Sequence, residues 1–298
     1  MRQLRDVEFE DLVFLNIETA RVQQEVDEES PLFESWKYRF RKSEEPIDLK
    51  KEYIDKASMY PEFAKIVCIS LGRIKKGEVI ITSYSGEEKN ILLMFNRDLK
   101  KVMDKRPKTK ICGHSCKSFS ITFIFKRCIV NQVIPVDLID VGGMKPWEVS
   151  SVDIKELWKS ISFYSSSLVN TAVSLGVKGA EEIKEETNEV FYTEGIDKVK
   201  MNSDKRVFVT INTTSIMGFR NPFKDYETKD SDEWKEMGLL ERLSYTGKVS
   251  IKDREKIIEI ASGYTVDEKQ VMITNLKASL AYRKGKLSQE IELEILSA

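Results

Sequence analysis

The chain has no dominant charge, no long apolar run and few residues able to hold a transition metal. Lys and Arg number 48 against 49 Asp and Glu in 298 residues. No global basic field therefore exists to draw in nucleic acid or a membrane surface, and any such attraction has to be local. Nowhere do eighteen apolar residues run together as a spanning helix requires, and the opening MRQLRDVEFEDLVF lacks the apolar stretch of a secretion signal. The expectation is a soluble, intracellular protein without a membrane partner. Four cysteines, Cys68, Cys112, Cys116 and Cys128, sit in or beside apolar stretches rather than at framework spacing, which suits a reducing compartment. The single histidine, His114, lies inside CGHSC. Three soft ligands within five residues would have to turn one way, and no fourth Cys or His is near, so buried thiols are expected there rather than zinc.

What is present is an alternation of strand-like and helix-like segments, the pattern of an α/β fold. LVFLNIETA, residues 12–20, reads as a buried strand that carries Asn16 and Glu18 on one face. ESPLFESWKYRF (29–40) reads as a helix and RKSEEPIDLKK (41–51) as a loop. AKIVCISLGRI and EVIITSYSG, separated by KKG, form an expected hairpin paired to the first strand. EEKNILLMFNRDLKKVMDK (87–105) has helical spacing, KTKICGH (108–114) reads as a strand and SFSITFIFKRCIVNQ (118–132) as a half-buried helix. VDLIDVGG (136–143) is expected to be the fifth strand, closed by a Gly-Gly turn. SSSLVNTAVSLGVKG (165–179) carries helix start and stop signals, and helices are expected over 181–194 and 196–220. After Asn221 the chain turns polar (FKDYETKDSDEWKE, read as a linker), and three short helices are expected over 238–247, 252–263 and 267–284. The expected division is residues 1–222 as one α/β domain and 223–298 as a helical appendage.

The motifs FLNIET (Phe14 to Thr19), GHSCKSFSITFIFKR (Gly113 to Arg127) and NSDKRV (Asn202 to Val207) occur in that order. With them the chain, over roughly residues 8–220, resembles the DnaQ-like, DEDD-type 3′-5′ exonucleases. It is most similar to the forms of bacteriophages and of the predicted polymerase-B-like exonuclease domain, whose patterns are FLDIET, GHNxxxFDIPFIxKR and YCxxDV. The resemblance implies a ribonuclease-H-like fold with a mixed five-stranded sheet flanked by helices. It also implies two Mg²⁺ or Mn²⁺ ions clamping a scissile phosphate, held by four carboxylates whose charge offsets the ions. For a phage-encoded member the compartment would be the host cytoplasm.

At the positions that match the family's ligands the sequence departs. Asn16 stands for the first Asp, Ser120 for the second and Arg206 for the third; Asn202 stands for the water-positioning Tyr and Ser115 for the Asn of GHN. Glu18 alone is retained. Asp204 lies only two residues from Arg206, but two residues turn a helical side chain by about 200°, so Asp204 is expected to point away. Substitutions of such different kinds look like natural degeneration rather than one designed inactivation. An Arg206 guanidinium paired with Glu18 would replace a metal bridge by an ion pair; equally, Glu18 reads as a strand-end acid held by backbone donors. No bound cofactor is expected.

The remaining candidates are contacts to single-stranded nucleic acid. His114, Lys117, Phe119, Phe123, Phe163 and Tyr164 are the set that would touch phosphates and bases, with Lys126 and Arg127 continuing the basic edge. Their plain readings are a packed histidine, a solvated charge face and core aromatics. The expected function is thus a catalytically degenerate exonuclease homologue kept for nucleic-acid binding or as a protein-interaction module. An active or residually active exonuclease and a scaffold without nucleic-acid affinity are the alternatives.

Overall fold

The computed structural model describes residues 2–42, 46–184, 187–230, 243, 248–281 and 285–298. Its frame is a six-stranded mixed sheet in the order β5-β4-β1-β2-β3-β6, with helices packed on it. β1 (Leu12–Arg21), β2 (Ala64–Lys75) and β3 (Glu78–Ser85) are antiparallel neighbours, while β4 (Lys110–Gly113) lies parallel to β1. β5 (Ser151–Asp153) and β6 (Glu227–Asp230) extend the two edges, each parallel to its neighbour. The helices, in chain order, are α1 (Arg2–Arg5), α2 (Pro31–Arg39), α3 (Leu49–Lys56), α4 (Glu88–Lys105), α5 (Ile121–Val130) and α6 (Ile154–Lys159). They continue with α7 (Leu168–Ser174), α8 (Thr187–Thr193), α9 (Ile196–Met217), α10 (Ile251–Ala261), α11 (Val266–Ala281) and α12 (Gln289–Ser297).

The period of two along β1 decides what each face meets. Val13, Leu15 and Ile17 enter one cluster with Leu92, Phe95 and Leu99 of α4 and Ile121 and Ile124 of α5. Leu12 and Phe14 enter another with Val207 and Ile211 of α9. Asn16 and Glu18 continue that second face, so the polar pair lies under α9. The long helix can press so closely on the sheet because β2 has Gly72 where it crosses: a Cβ there would stand 2.5 Å from Val207 Cγ1. A register shift between Glu18 and Thr19 interrupts the β1–β2 ladder. Glu88 and Arg127, both largely buried, staple α4 to α5 through two charge-assisted bonds of 2.8 and 2.6 Å.

Several expectations need correction. VDLIDVGG is not a strand: Ile139 and Asp140 both donate backbone bonds to the Val136 carbonyl, at 2.8 and 2.9 Å, in a turn that tucks Val136 and Ile139 into the core. The fifth strand is instead Ser151–Asp153, whose three residues are too few to show a period. The expected sheet of five strands has a sixth, because ETKD within the supposed linker pairs with the β3 edge. The expected loop over 41–51 already holds the start of α3, where the Asp48 side chain accepts from the Lys50 and Lys51 amides. The helix expected over 238–247 lies outside the described residues apart from Leu243. The other two match α10 and α11; with α12 they bring Ile257, Ile273, Leu276, Leu280 and Ile295 into an apolar cluster of their own.

The helix expected from the serine run is α7, with Ser167 accepting from the Asn170 amide at 3.1 Å. Ser167→Ala is expected to cost about 1 kcal/mol, read as a lower midpoint in urea at unchanged slope. All four cysteines are buried free thiols, as the sequence suggested. Burial pushes Cys68, Cys112 and Cys128 up to about 12, so none is a nucleophile at neutral pH. No helix among the described residues is long and apolar enough to cross a membrane.

Candidate functional site

β1, α9 and the segment leading into α8 meet at Glu18. Its side chain is 4% exposed, and every group around it has a clear origin. From β1, two residues back on the same face, Asn16 Nδ2 donates to Glu18 Oε1 at 2.8 Å and also to Ser203 Oγ of α9 at 2.9 Å. From the first residue of α8, the Thr187 hydroxyl donates to Glu18 Oε2. From α9, Arg206 Nε stands 3.5 Å from Glu18 Oε1 without a hydrogen bond, and Arg206 Nη2 donates to the Lys184 carbonyl at 2.7 Å. Burial raises the Glu18 pKa above its ordinary 4.5, against the opposing pull of Arg206, Thr187 and Asn16. Of the two readings of Glu18 open in the sequence, the ion pair is present, and among the described residues no backbone amide donates to the side chain.

Asp204 is turned elsewhere, as helix geometry requires. It accepts from Ser70 Oγ at 3.0 Å and from the Ser83 hydroxyl, on β2 and β3. Asn202 faces the segment before α8, accepting from the Lys184 amide at 2.9 Å and donating to the Lys184 carbonyl at 2.8 Å. Both Asn202 and Arg206 thus hold one short stretch of backbone over α9. Ser120 is buried at the end of a π turn, Cys116–Ser120, that follows Ser115 in the left-handed region (φ 58°).

This donor set does not fit a pair of dications. Where the resembling family places four carboxylates, the described side chains supply one carboxylate, two neutral groups and a guanidinium, and the guanidinium lies against the carboxylate. Glu18 and Arg206 offset each other, so the matched positions offer little to balance four positive charges beside a phosphate.

Glu18 lines a cavity of about 750 Å³ together with Arg206, Ile54, Asp55, Met59, Phe119, Thr187 and Glu189. Sequence reasoning found Glu18, Arg206 and Phe119 of this cavity. It missed Asp55 and Met59, in a charged, poorly periodic stretch given no element, and Thr187 and Glu189, in the helix expected over 181–194; none of them carries a motif.

The expected nucleic-acid contacts separate. Phe119 lines the cavity, with its ring 5.3 Å from that of Phe123. Phe123 itself is 2% exposed in the core, so the expectation of base contact is corrected for this residue: no face of its ring is free. Lys117 is engaged with Glu156 at 2.7 Å and Lys126 with Glu62 at 3.3 Å, while Arg127 is the core staple and not part of a basic edge. His114 Nε2 is 3.0 Å from the Ser166 carbonyl, and burial lowers its pKa from the ordinary 6.5. Phe163 and Tyr164 are exposed, on the segment between α6 and α7. No protein-family model matches this chain, and no curated protein matches it either.

Proposed function

We propose that the protein is a catalytically degenerate homologue of a DnaQ-like 3′-5′ exonuclease, retained for binding rather than cutting. The observation that carries this reading is Arg206 against Glu18: a cation of the chain's own stands beside the one retained acid, and Asn16 bonds that acid from the neighbouring position. The order of elements supports the descent. A three-stranded antiparallel unit is followed by a helix, a fourth strand, a helix, a fifth strand and further helices, the order of a ribonuclease-H-like fold. Metal binding at the site is lost or weak on this reading, since the hard-ion ligands are gone.

Labelled single-stranded DNA incubated with Mn²⁺ and an excess of protein is expected to keep its full length; steady loss of 3′ nucleotides would defeat the reading. Exposed Phe163 and Tyr164 favour single-stranded nucleic acid as what is bound, by stacking. A salt titration reads that directly, because phosphate contacts weaken binding as salt rises. A second reading, a protein partner in the cavity, is favoured by Asp55 and Glu189 at its rim, whose carboxylates would repel a phosphate chain.

A further inference from the structure

One end of the sheet gathers positive charge that the rest of the chain does not share. Over residues 73–78 and 100–110 the sequence sets nine Lys and Arg against two acids, Glu78 and Asp104, in a chain whose formal net charge is −1. The fold brings the two stretches together at the start of β1. Glu10 Oε1 accepts from the Lys76 amide at 3.1 Å, Glu10 Oε2 accepts from Arg106 Nη2, and Asp11 Oδ1 accepts from Arg106 Nη1 at 2.9 Å. Within the sheet, Lys110 of β4 stands beside Leu12 of β1, and Arg73 of β2 beside Val13. The turn between α4 and β4 is closed by the Thr109 amide and hydroxyl, which donate to the Arg106 carbonyl at 3.0 and 2.6 Å.

Three of the nine cations are engaged: Lys100 with Asp104 at 3.0 Å, Lys101 with Asp98 at 3.7 Å, and Arg106 with Glu10 and Asp11. Lys105, in the last turn of α4, has a plain role against the helix dipole. Arg73, Lys75, Lys76, Lys108 and Lys110 have no such role, and no carboxylate pairs with them among the described residues. Lys76 is present against local preference. It opens the two-residue turn between β2 and β3 at φ 52°, followed by Gly77 at φ 82°, a turn that favours Asn or Gly in its place. Lys75, Lys76, Lys105 and Lys108 are exposed, and no large apolar residue is exposed in either stretch.

That composition selects the partner. Interfaces between proteins are rich in aromatic residues, Met and Arg and poor in Lys, so a lysine surface without an apolar centre does not suit one. Single strands are held by rings on which bases stack, and neither stretch exposes a ring. A duplex backbone asks only for cations at intervals. We infer that this basic end of the sheet, made by the β2–β3 turn and the segment from α4 to β4, binds the phosphate backbone of double-stranded nucleic acid without reading its sequence. It is a surface apart from the Glu18 cavity: the six residues from Leu12 to Glu18 on β1 span about 20 Å. The inference therefore stands whether or not that cavity cuts.

Fluorescence anisotropy of a labelled mixed-sequence duplex, titrated with the full chain, is expected to show binding that weakens as salt rises, and equally so for a duplex of unrelated sequence. Each cation that meets a phosphate adds about 0.9 to the slope of log affinity against log salt, so Lys75→Gln with Lys108→Gln is expected to lower the slope by about 1.8. Lys76→Asn is expected to lower it by about 0.9 while the melting temperature stays at or above the native value, because Asn suits the turn. Weaker binding in that variant is then not a loss of fold. Phe163→Ser is expected to leave duplex binding unchanged; its loss there would move the contact to the loop between α6 and α7 and overturn the inference. A native chain that binds neither duplex at about 50 mM salt also overturns it, as does a slope untouched by the lysine substitutions. Poly-glutamate, or vesicles rich in anionic phospholipid, bound through the same lysines as tightly as the duplex would overturn it too, assigning the basic end to an acidic protein or a lipid surface. None of these results touches the non-cutting reading, which is decided by the Mn²⁺ assay.

Discussion

The triple substitution Asn16→Asp, Ser120→Asp and Arg206→Asp is expected to turn a protein that leaves labelled single-stranded DNA intact into one that shortens it from the 3′ end when Mn²⁺ is supplied. With Glu18 it restores four carboxylates at the positions that match the family's ligands, and it removes the guanidinium that now occupies the acid. The single change Asn16→Asp is expected to restore nothing, because Arg206 still stands 3.5 Å from Glu18 Oε1 and a second acid there would pair with it. Metal binding has a readout separate from cleavage. Four clustered acids repel one another and Ser120 is buried, so the metal-free triple variant is expected to melt below the native protein. Mn²⁺ at a hundredfold excess over its Kd would then return about 2.7 kcal/mol to that variant and nothing to the native chain. A folded triple variant that neither gains stability with Mn²⁺ nor cuts would count against descent from a two-metal enzyme.

Arg206→Ala is expected to destabilise the protein by about 2–3 kcal/mol near neutral pH. Removing one partner of a buried ion pair costs about 3–5 kcal/mol, and the figure is lowered here because Arg206 is 19% exposed and meets Glu18 without a hydrogen bond. The loss depends on pH, and its sign follows from Glu18. Burial holds that carboxyl above its ordinary 4.5, so its contribution to stability is full below that value, where the acid is protonated in both states. The contribution is lost as pH rises through the folded-state value. Without Arg206 the folded-state value moves higher still, so the penalty of the substitution is small near pH 4 and grows towards pH 8. Urea unfolding across that range checks it. Adding Glu18→Gln to Arg206→Ala is expected to abolish the pH dependence, since the buried charge is gone. A penalty equal at all pH values would mean that Arg206 acts through its bond to the Lys184 carbonyl and not through Glu18.

On the proposed reading, these two tests bear on one question, whether Arg206 holds Glu18 where a two-metal enzyme would hold its ions. Asn16, Thr187 and Arg206 together engage both oxygens of Glu18, and their three side chains come from β1, α8 and α9. Such a site holds its shape without an ion.

The sequence by itself determined the strands that carry a period and the helices that carry a stripe. β1 and the hairpin, α4, and the placing of Asn16 and Glu18 on one face all follow from alternation, because side-chain direction along a strand is a local property. The pairing of Arg206 with Glu18 was one of two readings left open, raised by the family resemblance that matches both positions to ligand sites; helical spacing added only that Asp204 turns elsewhere. Only the tertiary structure decided the rest. A three-residue β5 and a polar β6 are strands by virtue of their neighbours, not their own residues, and VDLIDVGG is apolar because a turn packs on the core. Phe123 and Arg127 became core while Phe163 stayed outside, and Asp55, Thr187 and Glu189 came to one cavity from distant segments, because burial and proximity are set by how the elements pack and leave no mark on the segments themselves.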